Sequence, residues 1–145
     1  MRFKERTDVA VRMLMQLALL KGRKISIDDL VEFDVGHRSQ IVAAIQELRK
    51  AGMVASSSGR NGGIWIARDP STINIADVIQ MFETDFHLTK CFSDPKSCDS
   101  FPDCRFKVVL EEALECFFGS LRKTTVADLV PDVDVGRQSI SISDD

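Results

Sequence analysis

Apolar residues near the N-terminus recur too densely for an ordinary surface helix. Between positions 9 and 20 only Arg12 and Gln16 are polar, and with Asp8 they fall at i, i+4, i+8 on a single face. The pattern predicts a helix over 8–20 with Thr7 as its N-cap. A surface helix normally buries one stripe. This one requires burial on several sides, for which a second subunit is a natural source.

Further along the periodicity becomes conventional. Ser26 and Asp29 stand three apart, as in a capping box, and open a short helix with Ile27, Leu30 and Val31 facing inward. Asp34-Val35-Gly36 breaks it, Gly36 supplying a turn conformation that other residues resist. A third helix over 38–51 buries Ile41, Ile45 and Leu48 and stops at Gly52. Two strands at 53–57 and 64–67 are joined by SGRNGG, whose Gly59, Gly62 and Gly63 provide turn chemistry. Helix, tight turn, helix and hairpin make a winged helix-turn-helix. Asp69-Pro70 closes the hairpin, and a helix over 74–84 carries Ile75, Val78, Ile79 and Phe82 on one face.

A cysteine loop over roughly 87–104 separates this unit from a long helix over 105–121. That helix has a wide apolar band of Phe106, Val109, Leu110, Ala113, Leu114, Phe117 and Leu121, suited to a dimer interface. The fold class is mainly α with a small β-hairpin: a winged helix-turn-helix plus a long C-terminal dimerisation helix. The expected divisions are a DNA-binding domain at 1–84, a cysteine loop at 85–104, a dimerisation helix and C-terminal segment at 105–130, and a flexible tail at 131–145.

Charge sharpens this division modestly. Residues 1–60 carry 11 Lys or Arg against 7 Asp or Glu, and residues 85–145 carry 7 against 12. A basic first part is compatible with phosphate contact, although a solvated surface has the same signature. No stretch has the ~18 consecutive apolar residues of a membrane span, and MRFKERTDV lacks the apolar core of a secretory signal. The expected location is the cytoplasm. In a reducing compartment, clustered thiols suit metal binding or redox chemistry better than structural disulfides.

The thiols are Cys91, Cys98 and Cys104, spaced Cys-x6-Cys-x5-Cys. Zinc sites usually pair ligands two to four residues apart, and no such pair exists here. Three unrelated buried thiols are the alternative, but a polar, Pro-containing loop is not a core pattern. Cys116 lies within the long helix beside Phe117 and Phe118, as a packing or interface residue would. Catalytic signatures are missing: there is no triad, phosphate-binding glycine loop or carboxylate pair, and His37 and His87 have no evident general-base partner. The chain does not read as an enzyme.

The runs RTDVAVRMLMQLA, ELRKAGMV, GRNGGIWIARDP and INIADVIQMFE, the three cysteines, and LRKTTVADLV together resemble the iron–sulfur winged-helix regulators of bacteria, the family of the repressors IscR, NsrR and RirA. The resemblance covers about residues 1–130. It implies a homodimer that holds an iron–sulfur cluster, [4Fe-4S] or alternatively [2Fe-2S], and binds double-stranded operator DNA according to cluster state. A four-iron cluster needs four ligands, so three cysteines leave one corner to a weaker group. The resemblance assigns that corner to Asp8 of the second subunit. Read from the chain alone, Asp8 is better explained by the helix dipole and an i, i+4 pair with Arg12 than by a ligand role.

Lys107 stands where the cluster-assembly branch has His. Asp8 resembles the nitric-oxide sensors, whereas Cys91-Phe92 resembles the iron-responsive regulators. Nitric oxide is the preferred signal and iron the alternative; an iron–sulfur redox or carrier protein without a regulatory role is the rival class.

Candidate DNA contacts follow from the winged layout. His37, Arg38, Ser39 and Gln40 begin the helix expected in the major groove, where Arg suits guanine and Gln suits adenine. Arg60 and Asn61 stand on the wing's glycine turn, shaped to reach a minor groove or a phosphate. Ala43 and Ser58 replace a Lys and an Arg usual in the family, each removing an expected phosphate contact. Trp65, on the wing strand, covers core or lies on the wing surface.

Overall fold

The computed structural model describes residues 2–94 and 104–131. In order, the chain forms α1 (Glu5–Leu19), α2 (Ile27–Glu32), α3 (Arg38–Lys50), β1 (Val54–Ser57), β2 (Gly63–Ile66), a 3-10 turn (Pro70–Thr72), α4 (Ile75–Phe82), α5 (Lys90–Ser93), α6 (Arg105–Leu121) and α7 (Val126–Leu129). The architecture is mainly α with one two-stranded antiparallel sheet, as the periodicity predicts. Cys98 and the expected flexible tail beyond residue 131 lie outside the described residues.

The dense apolar helix is the hub of the fold. Val9, Ala10, Met13, Leu14 and Leu17 of α1 are almost completely buried. Their partners are α3, α4, α7 and β2 of the same chain. The burial expected of a second subunit is therefore supplied mostly from within. Helix α1 also starts earlier than predicted, at Glu5. Thr7 is not its cap but a buried helical residue.

Thr7 instead binds Glu83 at the end of α4. Its Oγ1 donates to Glu83 Oε1 at 2.5 Å, the main-chain N–H of Lys4 donates to the same oxygen at 2.6 Å, and Lys4 Nζ lies 3.4 Å from Oε2. Burial pushes the Glu83 carboxyl up, but the bonds from Thr7 and Lys4 outweigh it and hold it below the ordinary glutamate value. A depressed carboxyl stabilises the fold above the unfolded-state pKa of about 4.3 and loses that contribution as pH falls through the folded value. Glu83→Gln is expected to cost about 1–3 kcal/mol at pH 7 and to flatten the loss of melting temperature between pH 5 and 3. Parallel acid slopes in the two proteins would refute the clasp.

Local signals elsewhere act as predicted, with two exceptions. Ser26 and Asp29 close a reciprocal capping box at α2, and Gly52 ends α3 with φ +69°. Leu30 is buried, but Val31 is 41% exposed, turned outward rather than inward. The left-handed residue of the turn is Asp34, at φ +54°, not Gly36. Gly36 is needed for a different reason: a Cβ there would sit 2.5 Å from Cγ2 of Val9 in α1.

Strands β1 and β2 pair Val54 with Ile66, Ala55 with Trp65, Ser56 with Ile64 and Ser57 with Gly63. An isolated bridge from Ile25 to Ile64 ties the hairpin to the segment before α2. Helix α6 follows its predicted limits and docks by its C-terminal half. Phe118 is buried and packs edge-on to Phe86, with ring centroids 4.7 Å apart. Its N-terminal half stands clear, leaving Phe106 64% exposed with Val108 and Val109 beside it. The chain then returns to the first unit. Thr124 accepts from the Ile75 N–H, the Val126 N–H donates to Ile73, and the Val126 side chain is completely buried.

Candidate nucleic-acid interface and thiol loop

The turn between α2 and α3 presents the expected reading residues together. His37 is the N-cap of α3 through its backbone, and its ring is free of any capping bond. His37, Arg38 and Ser39 are exposed, and Gln40 is half-buried. Arg38 is not free: its guanidinium pairs with Asp28 of α2. Gln40 accepts a bond from Arg6 Nε at 3.4 Å. Both Arg and Gln therefore reach the surface with one edge already engaged.

Across the domain, Arg60 and Asn61 are exposed at the wing tip, beyond the last strand pair. The turn uses Gly59 at φ +98°, and a Cβ on Gly62 would fall 2.5 Å from the Ser57 carbonyl oxygen. Trp65 is half-buried on β2, with Lys24 Nζ 5.0 Å from its ring centroid. It thus lies on the wing surface rather than in the core. Ala43 is half-buried and Ser58 exposed.

The described thiols lie at the edges of the loop. Cys91 is in α5, half-buried, with Sγ 2.9 Å from Thr89 Oγ1. Cys104 is the N-cap of α6, also half-buried and free of a side-chain capping bond. Cys116 is exposed on α6. Free, partly accessible thiols are soft donors suited to iron–sulfur or other thiophilic metals, so the described part of the loop fits the implied cluster chemically. Asp8 is elsewhere on the chain. Its carboxylate is 65% exposed and lies 3.6 Å from Arg12. Among the described residues of one chain, no three His, Cys, Asp or Glu side chains are grouped for a metal. A single chain therefore does not join Asp8 to Cys91 and Cys104.

Arg12 connects Asp8 to the turn before α3. It reaches the Asp34 carboxylate at 3.7 Å and donates to the Asp34 carbonyl. Asp8, Arg12, Asp34 and His37 line one open cleft of about 280 Å³. The residues that sequence reading missed are the supporting partners Arg6, Lys24 and Asp28. Their signal was weak, because each stands beside another charged residue and local periodicity places it merely in solvent.

A family profile described as an iron-dependent transcriptional regulator, Rrf2, matches residues 3–132. The chain belongs to the Rrf2 family. It is 36% identical over 133 residues to the HTH-type transcriptional regulator NsrR of Shouchella clausii, covering 88% of this chain and 87% of that one. Against NsrR of Bacillus subtilis the identity is 36% over 126 residues, covering 86% of each. Among solved structures, IscR of T. potens superposes with a TM-score of 0.67 at 24% identity, covering 89% of this chain and 85% of that one, a likeness of fold. As an Rrf2 protein the chain is a transcriptional regulator, which leaves the non-regulatory carrier reading without support. No helix among the described residues is long and apolar enough to cross a membrane.

Proposed function

We propose that the protein is a cytoplasmic, cluster-dependent repressor that binds operator DNA as a homodimer and responds to nitric oxide. The observation that carries this reading is the placement of three thiols between a winged helix-turn-helix and a long helix with an uncovered apolar face. Cys91, Cys98 and Cys104 would hold a [4Fe-4S] or [2Fe-2S] cluster, with Asp8 of the second copy as the remaining ligand. The uncovered half of α6 supplies the dimer contact. On this reading residues 1–84 bind DNA, 85–104 hold the cluster, 105–130 dimerise, and 131–145 form a tail.

When bound, the cluster supplies iron that reacts with nitric oxide. The chain's own part is to convert that event into movement. The Asp8 carboxylate has two possible engagements, a metal or Arg12, and Arg12 also grips the turn that leads into α3. Withdrawing Asp8 from one to the other changes the hold on His37, Arg38, Ser39 and Gln40. Those residues read bases, while Arg60 and Asn61 of the wing contact a minor groove or phosphates.

The identity to proteins named NsrR supports nitric oxide as the signal. Iron is the second reading, favoured by the description of the matching family as iron-dependent. An anaerobic titration of a promoter fragment from the protein's own locus separates them. Nitric oxide is expected to release the DNA at stoichiometric doses, with chelation acting slowly or not at all. Release by mild chelation alone would transfer the role to iron, and operator binding indifferent to both would refute cluster control.

A further inference from the structure

Lys24 lies just before Ile25, whose backbone exchanges hydrogen bonds of 3.0 and 2.8 Å with Ile64 of the wing. This seats the Lys24 side chain along the hairpin. Its ammonium has three N–H groups and three neighbours. Ser57 Oγ is at 3.3 Å, the Asn61 carbonyl oxygen at 3.4 Å, and the face of Trp65 is 5.0 Å away at the centroid, within cation–π range. The stem approaches closely because residue 63 is glycine: a Cβ there would meet Lys24 Cβ at 2.9 Å.

Residues 58–62 extend beyond the last strand pair, Ser57 with Gly63. Within the turn, the Gly62 N–H bonds the Gly59 carbonyl at 2.9 Å. The lysine adds a tether from outside the hairpin. We infer that Lys24 is the positioning residue of the wing tip, tying the 58–62 turn to Trp65 and the domain body and so presetting Arg60 and Asn61 for DNA. The inference rests on the reading of the wing as a DNA-contacting element. Presetting lowers the ordering cost of binding, and an exposed ammonium already engaged by Ser57, Asn61 and Trp65 is placed to hold the turn.

The test compares Lys24→Met, which keeps the stem, with Lys24→Arg, which keeps the charge, in the full-length cluster-loaded protein. Trp65 is the chain's single tryptophan, so its emission reports the contact without DNA. Lys24→Met is expected to shift that emission, to speed amide exchange at residues 59–62, and to weaken operator binding by about three- to tenfold. Lys24→Arg should restore most of each. In an Arg60→Ala, Asn61→Ala background, Lys24→Met should cost nothing further. Unchanged exchange and emission would overturn the inference, and so would full additivity, which would make Lys24 an independent phosphate contact. If the Arg60→Ala, Asn61→Ala protein binds operator like the parent, the wing reading itself fails and the role of Lys24 in DNA binding falls with it.

Discussion

Cys104→Ser is expected to leave a folded protein that holds no cluster and does not recognise its operator. The substitution separates ligand loss from fold loss because of where Cys104 sits. It is the N-cap of α6, and its side chain makes no capping bond. Serine is a favoured N-cap, worth about 1 kcal/mol over a residue that cannot cap, so the melting temperature of the metal-free protein should hold or rise. A serine hydroxyl is a poor replacement for a thiolate on soft iron. Iron content and visible absorption should fall to background after anaerobic reconstitution. Operator affinity should fall to the non-specific level, a loss of about a thousandfold or more. Cys116→Ser, on the exposed α6 thiol, is the control and should retain iron. Full iron loading of Cys104→Ser would remove this residue from the ligand set, whereas iron-free protein with intact operator affinity would disconnect the cluster from DNA binding.

The second large effect is expected from Gly36→Ala. The added methyl would lie 2.5 Å from Cγ2 of Val9, a β-branched side chain that is only 2% exposed. Neither partner can turn aside, so α1 and the turn before α3 must separate. Overpacking of this kind costs about 1–3 kcal/mol. The displacement also moves His37 and Arg38, the next two residues of the chain. Operator affinity should therefore fall by about tenfold, the cost of roughly 1.4 kcal/mol of lost contact, beyond the fall in melting temperature. Val9→Ala in the same chain vacates the volume and should recover both. A Gly36→Ala protein with parental melting and binding would show that the close approach carries no constraint.

These residues also mark where the sequence was legible and where it was not. The capping box of Ser26 and Asp29, the stop at Gly52, the glycine hairpin and the limits of α6 are written in local chemistry, and each appears in place. By type and position Gly36 reads as a conformational residue, because glycine usually is one. Its actual constraint lies with Val9, twenty-seven positions away, which no local pattern reveals. Thr7 looked like an N-cap by type and position, but its partner Glu83 is 76 residues distant. Val31 fits the helical stripe yet faces outward, because Leu30 and Ile27 already anchor this six-residue helix to the core. In the candidate site the residue types at the reading helix and wing tip were evident. The tethers Asp28, Arg6 and Lys24 were not, since each is defined by a contact made across elements.

The return of α7 into the first unit bears on what a shortened chain can do. Val126 fills the core, and the carbonyls of Arg122 and Thr124 accept bonds from Asn74, the N-cap of α4, and from Ile75. A chain ending after α4 would keep every candidate reading residue but lose those bonds and the burial of Val126, a side chain worth about 1.5–3 kcal/mol when fully buried. Premature termination in the thiol loop should therefore yield a product that is cleared rather than a free-standing DNA binder. Nonsense alleles of this gene are then expected to be recessive, with no truncated competitor occupying operators in place of the intact protein.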